Sequence, residues 1–153
     1  MLDKIKALLL QSGLKQTAQP FPERDVAAVA LLLEAASADG SYGEAEHLTL
    51  CELVARKMVL APDRAAALLD AARARQNQAV ELFRFTDAVN RAMDEGERAA
   101  LVEMLWEVVY ADGVLDAFED RLIRSVAALL HVPDRTRAEA RRRVLARKAD
   151  GEN

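Results

Sequence analysis

Two stretches of the chain set carboxylates around a glycine in the same order. One is Tyr110-Ala111-Asp112-Gly113-Val114-Leu115-Asp116-Ala117-Phe118-Glu119, and a weaker copy is Ser37-Ala38-Asp39-Gly40-Ser41-Tyr42-Gly43-Glu44-Ala45-Glu46. In each, Ala-Asp-Gly ends an apolar helical pattern, and a Glu seven residues after the Asp opens the next. Carboxylates beside the carbonyls left free at a helix end make the all-oxygen surroundings that Ca²⁺ or Mg²⁺ prefers. The second turn offers Asp112, Asp116, Glu119 and Asp120, the first Asp39, Glu44 and Glu46. The spacing is not that of an EF-hand, which needs Gly at the sixth loop position and Glu at the twelfth.

Capping accounts for part of the same pattern without any ligand. Gly113 suits the left-handed residue that closes a helix, and Val109 and Val114 sit where the accompanying apolar contact belongs. Asp116 is a natural N-cap with Glu119 as its capping-box partner, while Gly43 and Glu46 make a poorer version. Asp39 and Asp112 are harder to explain. An anion in the last turn of a helix faces the negative end of its dipole, a cost of roughly 0.3–1 kcal/mol that hydrogen bonds within the turn or a cation must offset. Both readings, structural cap and metal site, stay open at this point.

Other reactive side chains have weaker claims. His47 and His131 have no Cys or second His at zinc-ligand spacing, and His131 near a helix end suits the dipole. Cys51 lies mid-helix with no nearby His and reads as an inert thiol. Trp106 and Tyr110 are spaced as core residues. Glu34 and Glu107 recur about a turn before each Asp, and pairing with an Arg elsewhere in the bundle is the expectation. The sequence holds no Gly-rich phosphate loop, no Ser/His/Asp or Cys/His arrangement and no H-E-x-x-H motif. A metal-dependent hydrolase would further need a concave site with an open coordination position. A non-enzymatic protein is expected.

Helices must position these turns. Hydrophobic residues reach 52% while aromatics are only 5%, an Ala- and Leu-rich balance that indicates helices rather than sheets. Residues 1–12 place Leu2, Ile5, Leu8 and Leu9 on one stripe, expected to dock on the bundle, and 13–22 read as a linker. Helices are then predicted from Glu23, from Glu44 to Leu60, from Pro62, and around Leu82 to Met93, with a break at Gln76-Asn77-Gln78. A further helix carrying Leu101, Val102, Leu105, Val108 and Val109 is expected to be the central one. Another, carrying Leu122, Ile123, Val126, Leu129 and Leu130, ends before Pro133, and a basic one covers residues 134–148. Residues 149–153 read as a disordered tail.

Asp39 and Asp112 are 73 residues apart, and that offset also superposes Glu34 on Glu107 and Glu46 on Glu119. With a two-residue slip Pro62-Asp63 meets Pro133-Asp134. The expected fold is therefore an all-α, single-domain bundle of seven to eight helices over residues 23–148. It contains an internal two-fold repeat, about 26–78 and 99–148.

Net charge is −4 and pI about 5.3, so nucleic acid is not expected as a partner. The basic helix 134–148 is the only hint otherwise, and its default reading is a solvated surface. The single cysteine excludes an internal disulfide and fits a reducing compartment. No apolar run reaches the roughly 20 residues of a membrane span, and no signal peptide is recognisable. A soluble, cytoplasmic protein is the default.

The paired turns resemble those of the tellurite-resistance TerB family over roughly residues 23–148. The second half, with Phe83-Arg84-Phe85-Thr86, Glu97-Arg98, Leu105-Trp106-Glu107-Val108-Val109-Tyr110-Ala111-Asp112-Gly113 and Leu129-Leu130-His131-Val132-Pro133, is similar to a bacterial TerB-like branch. The resemblance implies an all-α fold and a divalent cation, Ca²⁺ foremost and Mg²⁺ second, at Asp39, Glu46, Asp112 and Glu119, with Asp116 beside them. Gly43 stands where Asp116 stands in the second copy, which makes the second turn the better equipped. The resemblance also implies a stress-response accessory role with protein partners, and leaves peripheral membrane association and a homodimer open. The alternative is a metal-free structural interaction module related to the helical domain of DnaJ-like co-chaperones.

Overall fold

Every residue from Val26 to Leu33 is buried, whichever way it faces. A helix apolar on all sides belongs at the centre of a bundle, and that is where the computed structural model places it. The structure describes residues 21–38, 40, 42–78, 82–111 and 117–151. These form seven helices: α1 Glu23–Ala36, α2 Glu44–Lys57, α3 Pro62–Gln78, α4 Leu82–Ala92, α5 Glu95–Tyr110, α6 Ala117–Leu129 and α7 Asp134–Gly151. No strand occurs among the described residues. The expected helix over 1–12 lies outside them.

Helix α1 packs against α2, α3, α4, α5 and α6, whereas α5 packs against α1, α6 and α7. The central helix is thus α1, not the expected α5. The period-3.6 stripe of α5 was the stronger signal, but the unbroken apolar run of α1 carries the burial. Three helix boundaries also move. Helix α2 stops at Lys57, short of the expected Leu60, because the chain turns left-handed at Val59. Helix α3 continues through Gln76 to Gln78, because polar residues such as Gln are good helix formers. Helix α7 runs through 149–151, beyond the expected end at 148, since Ala149 and Asp150 offer no break before Gly151.

The repeat is visible in how the helices end and pair. Helix α2 closes with Leu60 N donating to the Ala55 carbonyl (2.9 Å), and α6 with Val132 N donating to Ala127 (2.9 Å). Between them sit the left-handed residues Val59 (φ 53°) and His131 (φ 58°). Helix α3 packs on α1 as α7 packs on α5. The matching carboxylates join those pairs: Glu34 accepts from Gln76 Nε2 (2.8 Å), and Glu107 from Arg147 (2.9 Å). Pairing with arginine therefore holds for Glu107 and fails for Glu34, whose partner is the neutral Gln76.

The basic helix α7 is a clamp on α5 rather than a solvated surface. Ala140 and Val144 are buried. Arg143 pairs with Glu103 (2.6 Å), and Arg147 with both Glu103 (3.3 Å) and Glu107 (2.9 Å). Arg141 donates to the Tyr110 hydroxyl (2.7 Å) and lies over the Trp106 and Tyr110 rings, while Lys148 donates to the Tyr110 carbonyl. Trp106, 1% exposed, stacks on Tyr110 and donates its indole N–H to the Arg137 carbonyl (3.1 Å), confirming a core role.

Candidate functional site

Each repeat ends its first helix and starts its second within a few residues, so the two turns bring four helix ends together. Ala36 at the end of α1, Ala45 and Glu46 at the start of α2, Ala111 just past α5 and Glu119 at the start of α6 all line one cavity of about 370 Å³. Glu46 and Glu119, the matching glutamates of the two turns, thus share a single cavity, whereas Glu44 is exposed outside its lining and Asp120 pairs with Arg124 at 2.8 Å. Asp39, Asp112 and Asp116 lie outside the described residues, as do Ser41, Gly113 and Val114.

The two glutamates stand in different settings. Glu46 is exposed, and its Oε2 accepts from Gly43 N at 3.0 Å. Glycine has no side chain to return the favour, so only one arm of a capping box exists. Gly40 takes the left-handed turn position at φ 79°, a conformation glycine adopts without strain. Helix α6 begins at Ala117, which puts Glu119 at the capping-box position expected for it. Glu119 is only 4% exposed. A carboxylate buried to that degree is stable only with donors or a cation around it.

Neither α1 nor α5 carries a basic residue in its last turn. The negative ends of two helix dipoles therefore reach the cavity without a neutralising side chain from within their own helices, although Lys148 of α7 donates to the Tyr110 carbonyl that ends α5. Positive charge comes from across the cavity instead. Arg56 and Lys57, in the last turn of α2, reach Glu107 at 3.3 and 3.1 Å. Arg147 completes a three-cation set around this carboxylate, whose side chain is 13% exposed.

The donors named here are all oxygens, which suits a hard cation and not zinc. Among the described residues, no three His, Cys, Asp or Glu side chains gather as a metal site requires. Glu46 and Glu119 supply two carboxylates, so a complete set must draw on Asp39, Asp112 or Asp116.

Thr49 and Arg56 also line the cavity, on either side of the inward-facing Leu53, and were not singled out from sequence. With Glu46 and Leu53 they follow a three- and four-residue spacing along one face of α2, and that spacing was the available signal. A second polar contact joins Tyr42 to His47, whose Nδ1 lies 2.8 Å from the phenol oxygen. Burial pushes the Tyr42 phenol up to about 12, although Arg73 over its ring pulls the other way. Such a phenol stays neutral and has no use as a nucleophile at neutral pH. Burial, then the charges of Asp70 and Glu52, likewise push the Cys51 thiol up, in keeping with an inert cysteine.

A family model described as Tellurite resistance protein TerB matches residues 25–142, most of the described bundle. Neither the curated proteins nor the solved structures contain a match.

Proposed function

The chain belongs to the tellurite-resistance TerB family, and on that premise we propose a non-enzymatic, stress-response accessory module that binds a divalent cation at its acidic turns and contacts other proteins. The observation that carries the cation reading is the shared cavity: both turn glutamates line it, and two helix C-termini without basic residues end at it. Glu119 and Glu46 would hold the ion together with Asp112, Asp116 and Asp39, with Ca²⁺ ahead of Mg²⁺. The ion would neutralise this acidic seam and tie the two repeats to each other.

One observation favours a second reading, the metal-free interaction module related to the helical domain of DnaJ-like co-chaperones. Glu46 already serves as a cap to Gly43 N. Calorimetric titration of the wild type, Asp112→Asn and Glu119→Gln with Ca²⁺, Mg²⁺ and Mn²⁺ separates the two. The cation reading expects heat and thermal stabilisation in the wild type, lost in both variants. Absence of heat and of any thermal shift at millimolar cation would sink it. Equal destabilisation of the variants with and without cation would establish the capping account.

A further inference from the structure

A second concavity, of about 350 Å³, lies on another face of the bundle, with Met58, Leu60, Met93, Leu101 and Met104 in its lining. Methionines adapt to many apolar shapes and commonly form surfaces that receive a helix. Arg24, Asp25 and Glu97 add two negative charges and one positive to the lining. Arg24 lies between the two carboxylates, 3.4 Å from Glu97 and 3.7 Å from Asp25, so the trio carries one net negative charge. Between Met58 and Leu60 stands Val59, 88% exposed and left-handed, a costly conformation for a β-branched side chain.

Phe21 also lines this groove and is held there by the Arg64 guanidinium, 4.1 Å above its ring. Residues 1–20 therefore join the bundle at the groove itself. Residues 1–12 put Leu2, Ile5, Leu8 and Leu9 on one helical stripe, and with Lys4, Lys6 and Asp3 they carry one net positive charge. The eight residues 13–20 reach at most about 26–29 Å when extended, enough to fold the stripe back over a groove beginning at Phe21. A link this short also holds the segment at millimolar effective concentration.

We propose that the methionine-lined groove seats this chain's own residues 1–12, docked in cis as an amphipathic helix with Leu2, Ile5, Leu8 and Leu9 on the methionines. Lys4 and Lys6 then flank the stripe on opposite sides, one of them toward the net negative trio of Arg24, Asp25 and Glu97, and the exposed Val59 gains an apolar neighbour.

The test uses the full chain with methionine methyls labelled by ¹³C and a nitroxide on Lys6→Cys in a Cys51→Ser background. The Met58, Met93 and Met104 methyl signals should lose most of their intensity, independently of protein concentration. The same label with Ile5→Asp and Leu9→Asp added should restore them while leaving the Trp106 indole signal in place. Undiminished methyl signals overturn the proposal, whether or not the protein binds phosphatidylglycerol vesicles. Equal broadening in a mixture of ¹³C-labelled, nitroxide-free chains with unlabelled, nitroxide-bearing ones overturns it in favour of a second copy.

Discussion

Glu107 and Glu34 occupy matching places in the two repeats, yet neutralising each should have different consequences. Glu107 meets Arg56, Lys57 and Arg147 at 3.3, 3.1 and 2.9 Å. Exposed pairs contribute about 0.2–1 kcal/mol each. Arg56 is 68% exposed and belongs at the low end, Lys57 is 32% exposed and Arg147 47%. Allowing for overlap among the three, Glu107→Gln should cost about 1–2 kcal/mol and lower Tm by about 3–6 °C. Glu34→Gln keeps an oxygen acceptor for Gln76 Nε2 and removes no ion pair, so its effect should stay within about 0.5 kcal/mol. Salt provides a second axis. Raising ionic strength from 0.1 to 1 M shortens the screening length from about 10 to about 3 Å. The gap between wild type and Glu107→Gln should then shrink by half or more, while that for Glu34→Gln should not move. Thermal and urea unfolding of both variants at the two salt concentrations provide the assay. Equal losses at the two sites, or a Glu107→Gln loss indifferent to salt, would refute the three-cation account.

Two further variants test local features. Val59→Asn places a residue tolerant of the left-handed region where a β-branched one now stands, and should stabilise by about 1 kcal/mol, read as a Tm gain of about 2–4 °C; a loss of stability would mean that the valine makes contacts outweighing the strain. Burial raises the Asp25 carboxyl above its ordinary value, Arg24 opposing and Glu97 adding to the rise. A carboxyl raised by folding favours the folded state when protonated; that contribution is complete below the ordinary carboxylate range and is lost as pH rises through the elevated value. Asp25→Asn should accordingly raise Tm at about pH 7 and leave it nearly unchanged at about pH 3, as followed by circular dichroism melts; the opposite order would show that pairing with Arg24 outweighs burial.

Helix positions were legible in the sequence because caps and periodicity are local. Pro62 and Pro133 mark boundaries that the structure keeps, while the capping box of Asp94 and Glu97 that opens α5, closed at 2.8 and 3.1 Å, emerged only in the fold. The identity of the central helix is a property of the whole bundle. The α5 stripe looked stronger because it alternates with polar residues, but alternation marks a helix with an open side. The continuous run in α1 was the better sign of enclosure. At the site, seven-residue spacing revealed the glutamates, yet it could not reveal that both turns border one cavity. Nor could it find Arg56, whose relation to Glu107 spans 51 residues of sequence.

The unequal chemistry of the two repeats follows from that same difference in enclosure. Their backbones agree down to the left-handed residues at Val59 and His131. Helix α1, surrounded by five others, buries every side chain from Val26 to Leu33, so its seam with α3 holds only Glu34 with a neutral amide and, at its exposed edge, the single ion pair of Glu23 with Arg75. A string of ion pairs there would lose more in desolvation than it regained. Helix α5 keeps an open side, where Glu103 and Glu107 retain 19% and 13% exposure and bind arginines that water still reaches. Charge therefore accumulated on the second repeat, and one of these carboxylates, Glu107, lies on the wall of the shared cavity. The basic character of α7 follows from the same cause: Arg143 and Arg147 are the counterions of α5, Lys148 binds its terminal Tyr110 carbonyl, and among the described residues Arg142 is the cation of that helix without a partner.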